Sequence, residues 1–461
     1  MGPTGSTTRI SALALFGLSY GFLCGGPFGI ESAVGAMGGI ASIVGLLIFG
    51  IFWGLPQTLV AAELTAAFPE SGSVLSWLEA GLGRRWAAVG VGCFVFSQIF
   101  DLAIYSGQIV AYTSGLYPSF ITGSPVAIVF QCCIVLCVGA ANLLGLTVIT
   151  KVVILMLFVT LTPFILIPLV ASSRAMQFNW NAVTVIPAPT PLRIANLCSV
   201  LLWTFQGMFN VASCANLVHN PSVVYPRVLL AVTFCLVCTY AIPIAYGVAL
   251  WPNTTDEWSS GTFTDVASFV QPFLGDWVLI GAAFANLIGG LCGTQLYALL
   301  ISRLAESQLL PLGKVVGGEL ARKSEEGIPK AAIAFLTMTT MGLQFLDFTQ
   351  IVAIDTALNL AGFFLVSTSY LRLRIIAPDL DRPYRVPGGQ VGAFLIGGCC
   401  VIFAVIAFAI VCWGEWFASI TTVIVVLLLY AVAGYTQVII LAEEAKNDDN
   451  VDDDTSELLL Q

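Results

Sequence analysis

Charge is what this sequence most lacks: Asp, Glu, Lys and Arg make up 9% of its 461 residues, against about 25% in soluble domains. With 58% of its residues hydrophobic, the chain cannot cover a folded surface with polar groups, so its solvent is lipid. Net charge is −9 and comes largely from the acidic tail, so it does not describe the membrane part, and no nucleic acid is expected as partner. Histidine is almost absent, with His219 alone, and this excludes a histidine-rich metal cluster. No nucleophile, base and metal set converges, so neither an enzyme nor a cofactor or metal site is expected. The 13 cysteines lie almost wholly in apolar runs. Cys132-Cys133 and Cys399-Cys400 lack zinc-ligand spacing, and the cysteines read as small packing residues.

What is present is apolar length. A bilayer is crossed by about 20 apolar residues, and such runs occur near 10–33, 39–66, 86–115, 125–145, 147–171, 193–217, 227–251, 276–302, 329–346, 349–371, 391–413 and 416–441. The expectation is an all-α integral membrane protein of about 12 transmembrane helices. One transmembrane domain, 10–441, follows a short N-terminus, 1–9, and precedes an acidic tail, 442–461, whose composition predicts disorder. The polar start with Arg9 leads straight into a full span, so no cleavable signal peptide is expected.

Lysine and arginine set the orientation. With both termini cytoplasmic, fifteen of the 17 basic residues fall on the inner side and only Arg174 and Arg193 on the outer, as the positive-inside rule requires. The glycosylation sequon Asn253-Thr254-Thr255 falls in an outer loop on that topology. In the tail, Asp454 with Leu458 and Leu459 fits an acidic dileucine sorting signal, or equally a solvated tail ending in apolar residues. The plasma membrane is the first expectation, with endosomal, lysosomal or vacuolar membranes as alternatives.

The first span is interrupted by Gly25-Gly26-Pro27-Phe28-Gly29, followed by Glu31. Proline removes a backbone donor and glycine gives no helix support. In hydrocarbon, freed backbone groups are tolerated only against protein or a watery cavity. A packed kink and an unwound binding segment are the two explanations. A second break at the matching place in the other half separates them, because transporters built from inverted repeats carry such a pair. The sixth span has Gln206-Gly207 and Asn210 in its middle, a weaker break at a fitting position.

Glu31, Asp101 and Asp355 are carboxylates inside or beside spans. A charge near the bilayer centre costs at least about 2.5 kcal/mol, faces the interior and marks a pathway. Lys151, Arg193 and Arg303 belong near span ends, so the acids have no built-in cation. They suggest a cationic substrate, a titrating proton, or both, against the alternative of hydrogen-bonded structural groups. Phe28, Tyr105, Trp203 and Phe209 are candidates for an aromatic wall or for plain packing.

Taken together, these segments resemble the amino acid–polyamine–organocation transporters, most closely the eukaryotic polyamine–proton symporter branch. GGPFGIE at 25–31 is the most specific match. AELTAAFPESGSVLSWLEAGLG at 62–83, IFDLAIY at 99–105, HNPSVVYPRVLL at 219–230, SRLAESQLLP at 302–311 and LRLRIIAPDLDRPYRVPGG at 371–389 follow in order. The resemblance implies a LeuT-type fold with a 5+5 inverted repeat plus two extra helices, alternating access and proton-driven uptake. Carried over position by position, it implies a substrate site with the backbone at Gly25, Gly26 and Gly29 and the side chains of Glu31, Asp101, Tyr105 and Asp355; Phe28, Trp203 and Phe209 from the aromatic wall, Gln206, Gly207 and Asn210 from the second break, and Tyr297 complete the expected site. Glu31, Asp101 and Asp355 become the candidates for proton coupling.

The chain also departs from that branch. Phe209, Asn216 and Leu217 stand where relatives commonly carry acids, Tyr297 where the branch has another Asp, and Thr160 where some relatives use a lysine. The expected function is proton-coupled symport of a small organic cation, a polyamine or basic amino acid. The alternative is a neutral L-amino acid transporter on the same fold. The outer loop LYPSFITGSP at 116–125 has no cysteine, so no disulfide-linked heavy chain is expected as partner.

Overall fold

A computed structural model describes residues 10–69, 73–116, 123–309, 313–346, 348–414 and 416–458. Residues 1–9 and Leu459 lie outside the described residues, as do the side chains of Asp454 and Leu458. Among those described there is no β-strand beyond a single bridge between Ile10 and Val218. The all-helical expectation holds there.

Helix α1 (Ala12–Leu23) starts where the Ser11 hydroxyl accepts the Ala14 N–H at 3.2 Å, an N-cap that satisfies an otherwise orphaned donor. Seven non-helical residues separate it from α2 (Glu31–Phe49). A π turn at Gly50–Gly54 joins α2 to α3 (Leu55–Ala67). This continuous stretch, Glu31–Ala67, is 37 residues long, about 55 Å if straight and far beyond one bilayer. It is broken at Gly38, whose φ of 79° and ψ of 175° turn the chain. The first two expected spans therefore meet at Gly38, as the apolar runs indicate.

Short α4 (Val74–Leu82) is followed by the long α5 (Arg84–Leu116), then α6 (Pro125–Asn142) and α7 (Leu146–Ser173). A single turn, α8 (Trp180–Val183), leads to α9 (Pro191–Thr204). The chain then unwinds at Phe205–Phe209 and continues as a 3₁₀ segment, Asn210–Leu217. Next come α10 (Pro221–Leu250), α11 (Thr262–Val270), α12 (Pro272–Glu306), α13 (Gly313–Ala321), α14 (Lys330–Leu343), α15 (Phe348–Ile376), α16 (Gly389–Gly414) and α17 (Trp416–Leu458). The backbone of α17 stays helical through the acidic residues where composition predicts disorder. No glycine or proline follows Gly434 in this helix to stop it.

Nine helices among the described residues are long and apolar enough to cross a membrane. Ala12–Leu23 and Lys330–Leu343 are shorter apolar helices, and α9 has 14 residues. Two of these three short pieces belong to the spans that the sequence marks as broken. The chain is thus a multi-pass membrane protein with two interrupted helices.

The interruptions are tied together. The Ile10 N–H donates to the Leu217 carbonyl at 2.8 Å, so the start of the first broken helix is pinned to the end of the second. On the opposite face, α2 lies flush against the segment before α11. A methyl group on Gly35 would stand 2.1 Å from the Trp258 carbonyl oxygen. An aromatic chain, Trp258–Phe263–Phe164–Phe28–Tyr112, closes that face, with neighbouring ring centroids 5.4–6.2 Å apart. Arg193 pairs with Asp256 there at 2.9 Å.

Candidate functional site

Between the two closed faces, both breaks open onto one cavity of about 60 Å³, room for roughly four water molecules. Gly25 in the first break has φ +62° and Gly207 in the second has φ +94°, a region in which side chains with a Cβ are strained. At Gly207 a Cβ would also come within 2.7 Å of the Phe22 ring. These glycines let the backbone turn inward at the cavity wall.

Nine of the fourteen residues expected at the site line this cavity: Gly25, Asp101, Tyr105, Trp203, Gln206, Gly207, Asn210, Tyr297 and Asp355. They come from the first break, from the end of α9 through the second break to the start of the 3₁₀ segment, and from α5, α12 and α15. Five do not line it. Gly26 packs against Thr160 and Phe28, and Gly29 against the Trp203 ring. Phe28 stacks edge-on to Tyr112 and Phe164. Phe209 is buried against Trp77 and Phe363.

Glu31 is the fifth, and it lies on the far side of the break. It heads α2, is fully buried, and its Oε1 accepts the Gly261 N–H at 3.4 Å, while Oε2 has no hydrogen-bond partner. Its contact is with the loop before α11, on the face closed by the aromatic chain.

The cavity's own electrostatics come from Asp101 and Asp355. Asp101 accepts hydrogen bonds from Tyr105 and from Gln98 Nε2, the latter at 3.4 Å. The Ser97 hydroxyl donates to Asp355 Oδ1 at 2.5 Å and accepts the Asn359 amide at 3.1 Å. The two carboxylates stand close enough to act on each other. Among the described residues no Lys or Arg lines the cavity, so none of them compensates the two carboxylates.

Several polar atoms around the cavity are buried without a partner: Asp355 Oδ2, Asn359 Oδ1, both side-chain polar atoms of Asn210, and Gln206 Nε2. A buried donor or acceptor left unpaired costs about 1–3 kcal/mol. Such a set, with unused acceptors beside carboxylates and unused amide donors across from them, suits a ligand carrying both N–H groups and acceptor atoms.

Ser97, Gln98 and Asn359 are site residues that reading the sequence missed. The signal was there, since Ser97 precedes Asp101 by four residues and Asn359 follows Asp355 by four, which places each pair on one helix face. Small residues on α12 complete the packing. A Cβ on Gly293 would come within 2.5 Å of Gln98 Nε2, and one on Gly289 within 2.7 Å of the Tyr105 ring. Among the described residues no cluster of His, Cys, Asp and Glu is arranged to hold a metal.

A sequence profile described as amino acid permease matches residues 10–429, which takes in both broken helices and every cavity-lining residue. The chain belongs to the amino acid permease family. The match bears out the resemblance read from GGPFGIE and the loops that follow it. This permease is 29% identical over 416 residues to polyamine transporter PUT1 of rice, a match covering 88% of this chain and 76% of that one. It is 26% identical over 390 residues to polyamine transporter RMV1 of Arabidopsis thaliana, covering 84% and 78%. It is also 23% identical over 396 residues to a glutamate/gamma-aminobutyrate antiporter of Lactococcus lactis, covering 79% and 76%. The permease is therefore a membrane transporter of small molecules, and plant polyamine transporters are among its homologues.

Proposed function

We propose that this permease carries a small organic cation, a polyamine or a cationic amino acid, by proton-coupled symport with alternating access. The observation that carries the reading is the pairing of Asp101 and Asp355 on one cavity with no basic residue in its wall. Two buried carboxylates in a low-dielectric interior are stable only when protonated, hydrogen-bonded or paired with a cation. An ammonium group supplies the missing charge at one carboxylate and a proton supplies it at the other, so that the two move together. The plant relatives are named as polyamine transporters, which agrees with this chemistry.

In this reading the chain has twelve spans, with the face that holds Ile10 cytoplasmic and the face that holds Trp258 outside. Fifteen of the 17 basic residues favour that orientation. The two breaks, in the first and sixth spans, are the matching interruptions of an inverted repeat. The plasma membrane is the proposed location.

The test is uptake by proteoliposomes of labelled putrescine, arginine and leucine, with and without an inward proton gradient. Putrescine or arginine uptake accelerated by the gradient is expected. The amide-rich wall of Gln206, Asn210 and Asn359 favours a second reading, a neutral amino acid as cargo. Leucine transport without diamine or arginine transport would establish that reading in place of the first.

A further inference from the structure

The two acids of the central cavity are held in different ways. On α5, Asp101 accepts from Gln98 Nε2 at 3.4 Å and from the Tyr105 hydroxyl, and is 9% exposed. Two donors stabilise a carboxylate in its charged form. On α15, Asp355 is 1% exposed and has one donor, the Ser97 hydroxyl at 2.5 Å from Oδ1. Its Oδ2 is buried without a partner. A buried carboxylate with an empty oxygen is the costlier of the two to leave charged.

The Ser97 hydroxyl is oriented from behind. Asn359, one turn along α15 from Asp355, donates its amide N–H to Ser97 Oγ at 3.1 Å, which leaves the hydroxyl proton for Asp355. Asn359 Oδ1 is itself buried without a partner, and the residue lines the cavity. One amide therefore supports Asp355 with its nitrogen and keeps an oxygen for the cargo.

No neighbouring cation changes this balance. The titratable residues lining the cavity are Cys24 at the first break, Asp101 and Tyr105 on α5, Tyr240 on α10, and Tyr297 on α12. Of these, Asp101, Tyr105 and Tyr297 lie close enough to act on Asp355. The far side of α15 sets Ile354 and Leu358 against Cys93 of α5 and apolar side chains of α17. The ion pair of Arg374 with Glu63 lies about 28 Å further along α15.

We propose that the two acids divide the work: Asp355 carries the coupled proton on Oδ2, and Asp101 is the counter-ion of the cargo's ammonium group. Ser97 and Asn359 are the positioning residues of the proton site. The assignment rests on the reading that the cargo is a cation moved with a proton. Loading forms one O–H bond at Asp355 with a proton from water on the entry side, and release returns that proton to water on the other side. With both ligands bound the cavity carries no net charge, so it can close and reorient in lipid. Either ligand alone leaves one carboxylate bare, at a cost that opposes closure.

The test uses full-length protein in proteoliposomes with a trapped pH dye, and labelled putrescine and arginine as probes. In wild type, cargo entry should acidify the lumen, and an inward proton gradient should drive accumulation above the outside concentration. Asp355→Asn should lose both while still exchanging labelled for unlabelled cargo at raised concentrations, with a rate that no longer responds to pH. Asp101→Asn should raise KM about tenfold or more yet keep lumen acidification and the pH response. Ser97→Ala withdraws the donor that stabilises ionised Asp355, so half-maximal uptake should move to higher pH by about tenfold in proton concentration. Ser97→Thr, which keeps the hydroxyl, should restore it. Gradient-driven accumulation by Asp355→Asn, or loss of the pH response in Asp101→Asn alone, overturns the assignment and leaves the proposed function standing. If Asp355→Asn exchanges nothing, the serine variants decide, and an unmoved pH response in Ser97→Ala overturns the assignment. Wild-type protein that carries cargo without moving protons, or carries neither probe, overturns the proposed function and the assignment with it.

Discussion

Glu63 on α3 receives Arg374 from the end of α15, and both are buried, with 1% and 10% of their side chains exposed. Arg382 Nε stands 3.2 Å from the other carboxylate oxygen, and the Val386 N–H donates to Glu63 at 2.8 Å. One carboxylate thus clamps α3, α15 and the loop that follows α15 on the face that holds Ile10. Removing one partner of a buried ion pair costs about 3–5 kcal/mol because the other charge is left uncompensated. Glu63→Gln should therefore lower the midpoint of thermal unfolding in detergent strongly. Restoration of both charge and midpoint by Glu63→Asp would separate a charge effect from lost packing. An unchanged midpoint in Glu63→Gln would show that the clamp contributes little.

Asp101 and Asp355 should carry the affinity for a cation. A hydrogen bond to a charged group contributes about 1.5–3 kcal/mol, and 1.4 kcal/mol is tenfold in affinity. Asp101→Asn and Asp355→Asn are each expected to weaken putrescine binding about 10- to 100-fold. The stimulation of uptake by an inward proton gradient should fall in at least one of them. Scintillation proximity binding and gradient-driven uptake read the two effects separately. Wild-type affinity in both variants would remove the carboxylates from the site.

Much of this architecture can be read in the sequence, because lipid leaves few choices. Apolar runs mark the helices, and Gly25-Gly26-Pro27 marks the first break, since no regular helix continues through those residues. The second break is fainter: one glycine, Gly207, and two amides, Gln206 and Asn210, announce it, and the 3₁₀ winding of Asn210–Leu217 has no glycine or proline to signal it. Asp101 and Asp355 were both legible as intramembrane acids, but their meeting depends on the packing of α5 against α15. Glu31 and Phe209 show the limit. Each sits beside a break, yet the side of the helix it takes is set by tertiary neighbours, Gly261 for one and Phe363 for the other. The sequence carries no periodic signal for that choice at an interrupted helix.

Gly207→Ala should impair transport more than folding. The substitution places a Cβ in a left-handed conformation, a strain of roughly 1–2 kcal/mol, and 2.7 Å from the Phe22 ring at the cavity wall. Phe22 in turn packs against Tyr297, with ring centroids 6.3 Å apart. The variant is expected to elute normally on size-exclusion chromatography while its uptake KM rises about tenfold. Wild-type kinetics would mean that the second break does not shape the site.

Asn253 is exposed in the loop after α10, so the sequon is sterically open to modification. Expressed in a eukaryotic host, the wild-type protein should shift in gel mobility on enzymatic deglycosylation, and Asn253→Gln should not. The shift would place the face that holds Trp258 outside the cytoplasm. Protease protection of an epitope in the 377–388 loop of sealed inside-in vesicles should give the complementary result. Cleavage of that loop from the outside would reverse the orientation.

Glu31 should behave unlike the other two acids. It borders the first break but reaches away from the cavity to the Gly261 N–H at 3.4 Å. Its replacement is therefore expected to act on the closure of the face that holds Trp258 rather than on the central cavity. In Glu31→Gln the amide oxygen can still accept that N–H, and the side chain does not line the cavity, so a putrescine affinity within about threefold of wild type is expected, a change of less than about 0.7 kcal/mol. Glu31→Ala removes the acceptor, and hydrogen exchange at residues 259–263 should quicken while the central site still binds. A fall in affinity for Glu31→Gln as large as that for Asp101→Asn would instead bring Glu31 into the substrate site in another conformation of the transport cycle. The two variants measured side by side, by binding and by exchange, thus assign the three carboxylates between cargo recognition and gate closure.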